Sequence, residues 1–164
     1  AYVKLNTFTT DHGLPSNHVY DIVEDNTGFL WIATDNGVCR FDGKYFQKFS
    51  TKDGLPANDV LQVIKEKNGT IWLNCYKQPP AYFDEKSNKF VVIGNSKKLT
   101  EISKSLLKTT VSTDEHLIFF NSLGTVALKN KKPVENNISP YELIINDQKT
   151  QLSFSVAKKI IQLL

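Results

Sequence analysis

Three aspartates, Asp11, Asp35 and Asp59, are the acidic residues that a repeating pattern of strands would bring near one another in this chain. Paired carboxylates hydrolyse glycosidic bonds, with one serving as acid and the other as base or nucleophile. Nothing in the surrounding residues distinguishes an acid from a base among these three. We therefore expect no catalysis in this chain, and a propeller lyase or glycosidase is the weakest functional interpretation.

The histidines and cysteines also give little support to catalysis or metal binding. His12, His18 and His116 do not have the spacing of metal ligands. The sequence contains no Ser/His/Asp or Cys/His constellation and no glycine-rich phosphate loop. Cys39 and Cys75 each fall in a strand pattern of a different repeat, which favours two small buried residues over a disulfide. We expect neither a metal nor another cofactor.

The elements that would position these residues come from an internal repeat. Residues 49–75 repeat residues 8–34 without a gap, 41 positions later. The identical pairs are Phe8/Phe49, Thr10/Thr51, Gly13/Gly54, Leu14/Leu55, Pro15/Pro56, Asn17/Asn58, Val19/Val60, Gly28/Gly69 and Trp31/Trp72. A period of this length indicates one supersecondary unit stacked on copies of itself.

Turn signals divide each copy into four short strands. In the first copy, Val19–Glu24 is rich in β-branched and aromatic residues, which is typical of a strand. Residues 29–34 are almost continuously apolar, which indicates a strand covered on both faces. Residues 38–41 and 45–50 supply the third and fourth strands, separated by the hairpin signal Asp42-Gly43. A four-stranded antiparallel unit covered on both faces describes a β-propeller blade.

The predicted fold is all-β, an incomplete propeller arc of about three and a half blades. The predicted blades cover residues 8–50, 51–93, 105–135 and 140–164, the third at a shift of 87 and the fourth at a shift of 122. Residues 94–107 allow a short helix, but we favour an irregular connection followed by a strand over 106–112. Such an arc exposes two blade faces, so we expect the chain to self-associate.

The composition agrees with a packed domain. The sequence is 40% hydrophobic and 11% aromatic, with a net charge of +3. Lysines and arginines are scattered, and the densest cluster, at 129–132, is better interpreted as a solvated turn than as a nucleic-acid patch. No apolar run approaches the length of a membrane span, so we expect no direct membrane contact and no nucleic-acid partner.

Four motifs resemble the two-component regulator propeller repeat. They are Asp-Gly-Leu-Pro-Ala-Asn at 53–58, Val-Tyr-Asp-Ile-Val-Glu-Asp at 19–25, Leu-Trp-Ile-Ala-Thr-Asp-Asn-Gly-Val at 30–38 and Arg-Phe-Asp-Gly at 40–43. The match is close from residue 8 to about residue 90. The resemblance implies the periplasmic sensor region of a membrane-bound, often hybrid, histidine kinase, in which the propeller senses carbohydrates or other extracellular signals and dimerises. The opening residues look like a first blade just after signal cleavage.

This resemblance leads to two functional hypotheses besides an enzyme. The first is a periplasmic ligand-sensing segment that recognises an oligosaccharide and signals through a rearranged dimer. The second is a scaffold that only holds neighbouring domains and dimerises. In neither case does this chain carry out catalysis itself.

The ligand site is predicted where the second copy departs from the repeat. In an up-and-down blade, the loop before the first strand and the turn between the second and third strands lie on the same face. Residues 76–81 on that face replace the turn at 35–39, and side chains of this type can hydrogen-bond and stack on a polar ligand. The predicted ligand-binding residues are Asp35, Asn36, Asn74, Tyr76, Lys77 and Gln78.

Three other motifs are better interpreted as structural. Trp31 and Trp72 could stack on sugar rings, but their position in continuous apolar strands favours the core between blades. Residues 25–28 are oxygen-rich, yet a single acidic residue without a distal glutamate favours a turn over a calcium loop. The Gly-Leu-Pro loops at 11–17 and 53–58 favour connectors between blades.

Overall fold

The computed structural model describes residues 6–94, 96–107, 109–112, 116–121 and 123–134, which form three four-stranded antiparallel sheets. Within each sheet the strands lie side by side in chain order. The first sheet contains β1 (Val19–Glu24), β2 (Leu30–Thr34), β3 (Gly37–Phe41) and β4 (Phe46–Phe49). The second contains β5 (Val60–Lys65), β6 (Ile71–Cys75), β7 (Ala81–Asp84) and β8 (Lys89–Val92), and the third contains β9 (Thr109–Ser112), β10 (Leu117–Asn121), β11 (Gly124–Lys129) and β12 (Lys132–Pro133). These meanders confirm the predicted all-β blades, while the predicted unit at 140–164 lies outside the described residues.

The repeat spacing is visible in the strand positions themselves. The second strands of the three sheets begin at Leu30, Ile71 and Leu117, at shifts of 41 and 87 from the first. The turn between the second and third strands closes with Thr34 opposite Gly37 in the first sheet, and with Asn121 opposite Gly124 in the third. All five residues of β6 are buried, as predicted for a strand covered on both faces.

A short 3₁₀ helix precedes each of the first two sheets, at Thr10–His12 and Thr51–Asp53. Each is capped by a hydroxyl side chain, Thr9 in one and Ser50 in the other, and each ends at a glycine with positive φ. The two connectors therefore fold in the same way because their sequences repeat.

The core lies between the sheets, and a tryptophan occupies the centre of each contact. Trp31 packs between the first and second sheets, with its ring centroid 4.8 Å from that of Phe83 and 5.6 Å from that of Phe49. Trp72 packs between the second and third sheets, 6.3 Å from Phe119. The exposed fractions of the two tryptophans are 1% and 0%, which confirms their interpretation as core residues.

Both cysteines are buried and free, as predicted. Burial raises the pKa of each thiol, Cys39 and Cys75, to about 12. A thiol that stays protonated at neutral pH is a poor nucleophile and a poor metal ligand. The two residues therefore act as small core side chains.

The segment between the second and third sheets corrects one prediction. It contains the helix α1 (Lys97–Ser103), where an irregular connection was favoured, and the following strand begins at Thr109, not at residue 106. Ser96 caps the helix, since its side chain accepts a hydrogen bond from the Leu99 amide. Leu99 and Ile102 pack into the core between the second and third sheets, and this tertiary burial stabilises a helix too short to form alone.

Candidate functional site

The predicted site lies at the end of the sheets where the connectors approach β1 and β5 and where the second strands turn into the third. We call this surface the loop face, defined by residues 15–20, 35–36, 58–59 and 76–78. The connectors before β1 and β5 are each closed by an internal hydrogen bond. Asn17 Oδ1 accepts from the Thr10 amide at 2.9 Å, and Asn58 Oδ1 accepts from the Thr51 amide at 3.0 Å. The two Gly-Leu-Pro loops are therefore held by the same internal hydrogen bond.

Asp35 and Asn36 form the first-sheet part of the loop face. Asp35 Oδ2 lies 2.9 Å from Nδ1 of His18, an imidazole that is 79% exposed. Hydrogen bonds from the Ser16 hydroxyl and from His18 lower the pKa of the Asp35 carboxyl. Asn36 Nδ2 donates to the Pro15 carbonyl at 3.2 Å. The carboxylate is therefore charged at neutral pH and oriented at the surface by two neighbouring polar groups.

Tyr76, Lys77 and Gln78 form the second-sheet part. The Tyr76 side chain is 42% exposed, and Lys77 Nζ lies 5.2 Å from the centre of its ring. Lys77 adopts a φ of 53°, a left-handed conformation that costs a non-glycine residue about 1 kcal/mol. The Gln78 amide donates to the Cys75 carbonyl at 3.3 Å and closes the turn. The turn thus presents an aromatic ring and a cation side by side.

Asn74 differs from the other five predicted residues in its burial. It is 2% exposed, and its Nδ2 donates to the carbonyl oxygen of Leu107 at 3.3 Å. That bond ties the second sheet to the segment leading into the third. The exposed part of the predicted site is formed by Asp35, Asn36, Tyr76, Lys77 and Gln78.

The segment containing Asn58 and Asp59 links the two halves of the loop face. The Asn58 carbonyl accepts from the Gly37 amide at 2.5 Å, and the Asp59 carbonyl accepts from the Tyr76 amide at 2.9 Å. The first-sheet turn is therefore bonded to Asn58 and the second-sheet turn to its chain neighbour, Asp59. The structure brings the predicted residues of neighbouring sheets to the two sides of a shared segment.

Tyr20 belongs to this surface, although the sequence did not single it out. The β1–β2 register skips it, since Val19 pairs with Thr34 and Asp21 with Ala33. It is 51% exposed, and partial desolvation together with the nearby charges of Asp59 and Asp35 raises the pKa of its hydroxyl. A bulge that re-aims one side chain is common beside binding sites. The only sign of this feature in the sequence is a tyrosine within the predicted first strand of the blade.

The opposite end of the sheets is organised around Asp25. Its carboxylate accepts hydrogen bonds from Thr27 and Phe29 amides and, at 2.9 Å, from the indole Nε1 of Trp31. Burial alone would raise the pKa of Asp25, but these bonds and that of the Thr27 hydroxyl hold it below its usual value. Arg40 Nε lies 3.5 Å from the same carboxylate. N–H donors of its own turn and strand and a guanidinium surround this carboxylate, which supports the turn interpretation over a calcium loop.

A groove of about 410 Å³ opens at this end between the first two sheets. We call it the turn groove, because its walls are the turns at 25–27, 68–70 and 84–86, with Lys131 added from the third sheet. The groove carries charges of both signs, from Asp84, Glu85, Lys86 and Lys131. The sequence interpretation missed it, since the groove exists only once turns of successive sheets are placed side by side.

Within the part of the chain that the structure describes, no three His, Cys, Asp or Glu side chains are grouped so that they could hold a metal ion. Among the same residues, no helix has the length and apolar character needed to cross a bilayer.

Comparisons with known proteins agree with the repeat. Residues 13–36 match the family model described as two component regulator propeller, which confirms the resemblance of this motif. A comparison with curated protein sequences gives no match.

Two solved structures are similar to this chain. The chain is similar to the extracellular domain of a protein described as a one component system from B. thetaiotaomicron, at 11% identity and a TM-score of 0.62, over 80% of this chain and 17% of that one. It is also similar to the extracellular domain of a protein described as a hybrid two component system from the same organism, at 18% identity and a TM-score of 0.39, over 79% of this chain and 26% of that one. The first likeness confirms the blade fold. The chain spans about a quarter or less of the length of these structures.

Proposed function

We propose that this chain is part of the periplasmic sensory region of a two-component sensor, and that it binds an extracellular oligosaccharide on the loop face. Support comes from the two component regulator propeller match at 13–36 and from the fold shared with an extracellular domain. The chain itself would perform no chemistry. A ligand that binds one arrangement of a sensor dimer better than another shifts the population toward it, and this is sufficient to signal.

The observation that carries the proposal is the turn at Tyr76 and Lys77. In the first sheet the corresponding turn places a glycine, Gly37, at positive φ, whereas here a lysine adopts that strained conformation beside a half-exposed tyrosine. Strain held at an exposed polar turn is typical of binding sites. An aromatic ring with neighbouring amide, ammonium and carboxylate groups suits a hydroxyl-rich ligand, which needs a flat apolar surface and hydrogen-bond partners of both kinds.

Thermal-shift screening of the chain against a panel of neutral and acidic oligosaccharides tests this proposal. Since a ligand stabilises the state that it binds, we expect a saturable rise in melting temperature with at least one member. Tyr76→Ala should abolish that rise. The matched control is Tyr45→Ala, because Tyr45 is 63% exposed and also lies under a lysine, Lys44, but at the other end of the sheets.

Two results would contradict the proposed site or the proposed function. A rise that survives Tyr76→Ala but is lost in Asn68→Ala would move the ligand to the turn groove. The absence of any rise across the panel would favour the alternative function, a structural or dimerisation scaffold without a small-molecule ligand. The specific observation favouring that alternative is the set of exposed apolar side chains on the first sheet, among them Val19 and Ile22. Sedimentation velocity would report whether the chain self-associates.

A further inference from the structure

The turn groove has an apolar floor beneath a polar rim. Its floor is formed by Trp31, Ile71 and Phe83, which are all buried. Its rim consists of turns from the first two sheets and of Lys131 from the third, and most of the rim side chains are exposed. At about 410 Å³ the groove is at the lower end of the range for small-molecule sites, which is roughly 300 to 1,000 Å³. The groove therefore suits a small ligand better than a polymer chain.

The three turns around the groove are each held by their own hydrogen bonds. Amides of the first turn donate to the Asp25 carboxylate. In the second turn, Asn68 Oδ1 accepts from the Thr70 amide at 2.8 Å. In the third turn, Asp84 Oδ2 accepts from the Ser87 hydroxyl at 2.6 Å and from the Ser87 amide at 3.1 Å. Since the walls are ordered before a ligand arrives, binding does not have to order them.

The negative charge available to a ligand lies in the turn after β7. Asp84 and Glu85 are neighbours there. Hydrogen bonds from Ser87, and to a smaller extent the charge of Lys131, lower the pKa of the Asp84 carboxyl, so it is ionised at neutral pH. Asp25 also lines the groove, but donors of its own turn and strand already occupy its carboxylate. Asp84 and Glu85 are therefore the carboxylates that a ligand can use.

The positive charge comes from Lys86, beside these two acids, and from Lys131 in the hairpin between β11 and β12. Lys131 Nζ lies 4.2 Å from the centre of the Tyr82 ring, a cation–π contact that favours this position of the ammonium group. Among the residues that the structure describes, neither lysine forms an ion pair with Asp84 or Glu85. The four charges are therefore not neutralised by direct contact with one another.

A small site with both signs of charge above an apolar floor discriminates between classes of ligand. An anion would meet the two carboxylates, a cation would meet the two ammonium groups, and a neutral sugar would use neither. A zwitterion can place its ammonium group near the carboxylates and its own carboxylate near the lysines, while an apolar side chain packs on the floor. Free amino acids and dipeptides have this combination of groups.

We propose that the turn groove binds a short zwitterionic ligand, a free α-amino acid or a dipeptide with an apolar side chain. Asp84 and Glu85 contact its ammonium end, and Lys86 and Lys131 contact its carboxylate end. This site lies at the opposite end of the sheets from the loop face and does not depend on oligosaccharide binding there. Two classes of ligand would then bind one chain without competing for the same surface.

Chemical-shift mapping of the ¹⁵N-labelled chain tests the proposal, with leucine, phenylalanine, glycyl-leucine and glycyl-phenylalanine as probes. We expect at least one probe to give saturable amide shifts concentrated at 25–27, 68–70 and 84–86, and not at 76–78. N-acetylation and C-terminal amidation of that probe should each weaken binding by about fivefold, because each removes one charged contact at a solvated rim.

Asp84→Asn and Lys131→Gln assign the two ends of the probe. Asp84→Asn should weaken binding of the free probe by about fivefold and leave the acetylated form unchanged, and Lys131→Gln should do the same with respect to the amidated form. Glu85→Gln replaces Asp84→Asn if loss of the Ser87 bonds unfolds the turn. The matched controls are Asp11→Asn and Lys52→Gln, exposed residues of the two connectors, for which we expect no change.

Four results would overturn the proposal. The first is the absence of saturable shifts with all four probes. The second is a probe whose acetylated and amidated forms bind as tightly as the free form, since charge would then play no part. The third is a set of variants that weaken the free and blocked forms equally, which would indicate a distorted turn and not a lost contact. The fourth is a groove whose amides respond to neutral oligosaccharides but to none of the probes.

Discussion

At the residue scale, one carboxylate in each of the first two sheets accepts a hydrogen bond from the core tryptophan of that sheet. Asp25 Oδ2 accepts from Trp31 Nε1 at 2.9 Å, and Glu66 Oε2 accepts from Trp72 Nε1 at 2.7 Å. Each acid lies six residues before its tryptophan. A buried indole N–H left without an acceptor would cost the desolvation penalty of that donor. Both copies of the repeat therefore supply a carboxylate that accepts a hydrogen bond from the N–H group of the buried tryptophan.

Asp25→Asn should lower the free energy of unfolding by about 2 kcal/mol, because an amide loses charge-assisted bonds and leaves Arg40 without its counter-charge. Urea unfolding measures the loss. The control is Asp11→Asn, whose side chain is exposed and which we expect to be nearly neutral. Equal losses in the two variants would contradict the role assigned to Asp25.

The loss of unfolding free energy in Asp25→Asn should depend on pH, because the pKa of Asp25 is lowered in the folded chain. Since the pKa of Asp25 is lower in the folded chain than its usual 3.8, the carboxylate stabilises the fold above that value. The stabilisation disappears as the pH falls through the folded pKa. The difference between the native chain and Asp25→Asn should therefore stay constant from about pH 8 to pH 5 and shrink below about pH 4. A difference that grows on acidification would contradict this account.

At the element scale, the turn between β2 and β3 hydrogen-bonds to the connector that leads into the second sheet. Gly37 has a φ of 102°, its amide donates to the Asn58 carbonyl, and a Cβ there would lie 2.5 Å from the Phe49 carbonyl oxygen. Gly43, in the following hairpin of the same sheet, has a φ of 97° and open space around it. Alanine substitutions at Gly37 and Gly43 therefore separate the cost of the left-handed backbone, which both would carry, from the cost of a steric clash, which only Gly37→Ala would carry.

Gly43→Ala should cost about 1 kcal/mol, from the left-handed backbone alone. Gly37→Ala should cost about 2 kcal/mol or more, because the main chain must also move away from the Phe49 carbonyl of β4 in the same sheet. Urea unfolding of the two variants provides the comparison. Similar costs would show that the close approach of Gly37 to the Phe49 carbonyl adds nothing to the cost of the left-handed backbone.

At the scale of the whole molecule, the repeat predicts much of the fold. Strand positions, the buried tryptophans and the free cysteines follow from residue patterns, because each copy must bury the same side chains against its neighbour. The helix α1 does not follow, since seven residues with two buried apolar side chains, Leu99 and Ile102, form a weak pattern that packing then stabilises.

The candidate site is less predictable for a physical reason. Asn74 lies in a strand buried on both faces, so its polar character does not reveal which way its side chain points. Tyr20 emerges through a bulge in the strand pairing, and the turn groove depends on turns from successive sheets. Such features depend on the relative placement of sheets, which local sequence patterns do not encode.

The central claim is that the loop face binds an oligosaccharide, and chemical-shift mapping tests it most directly. The ¹⁵N-labelled chain is titrated with the strongest oligosaccharide of the thermal-shift panel, and amide shifts are followed residue by residue. We expect saturable shifts concentrated at 35–36, 58–59 and 76–78. Shifts concentrated at 25–27, 68–70 and 84–86, or no saturable shifts at all, would contradict the claim.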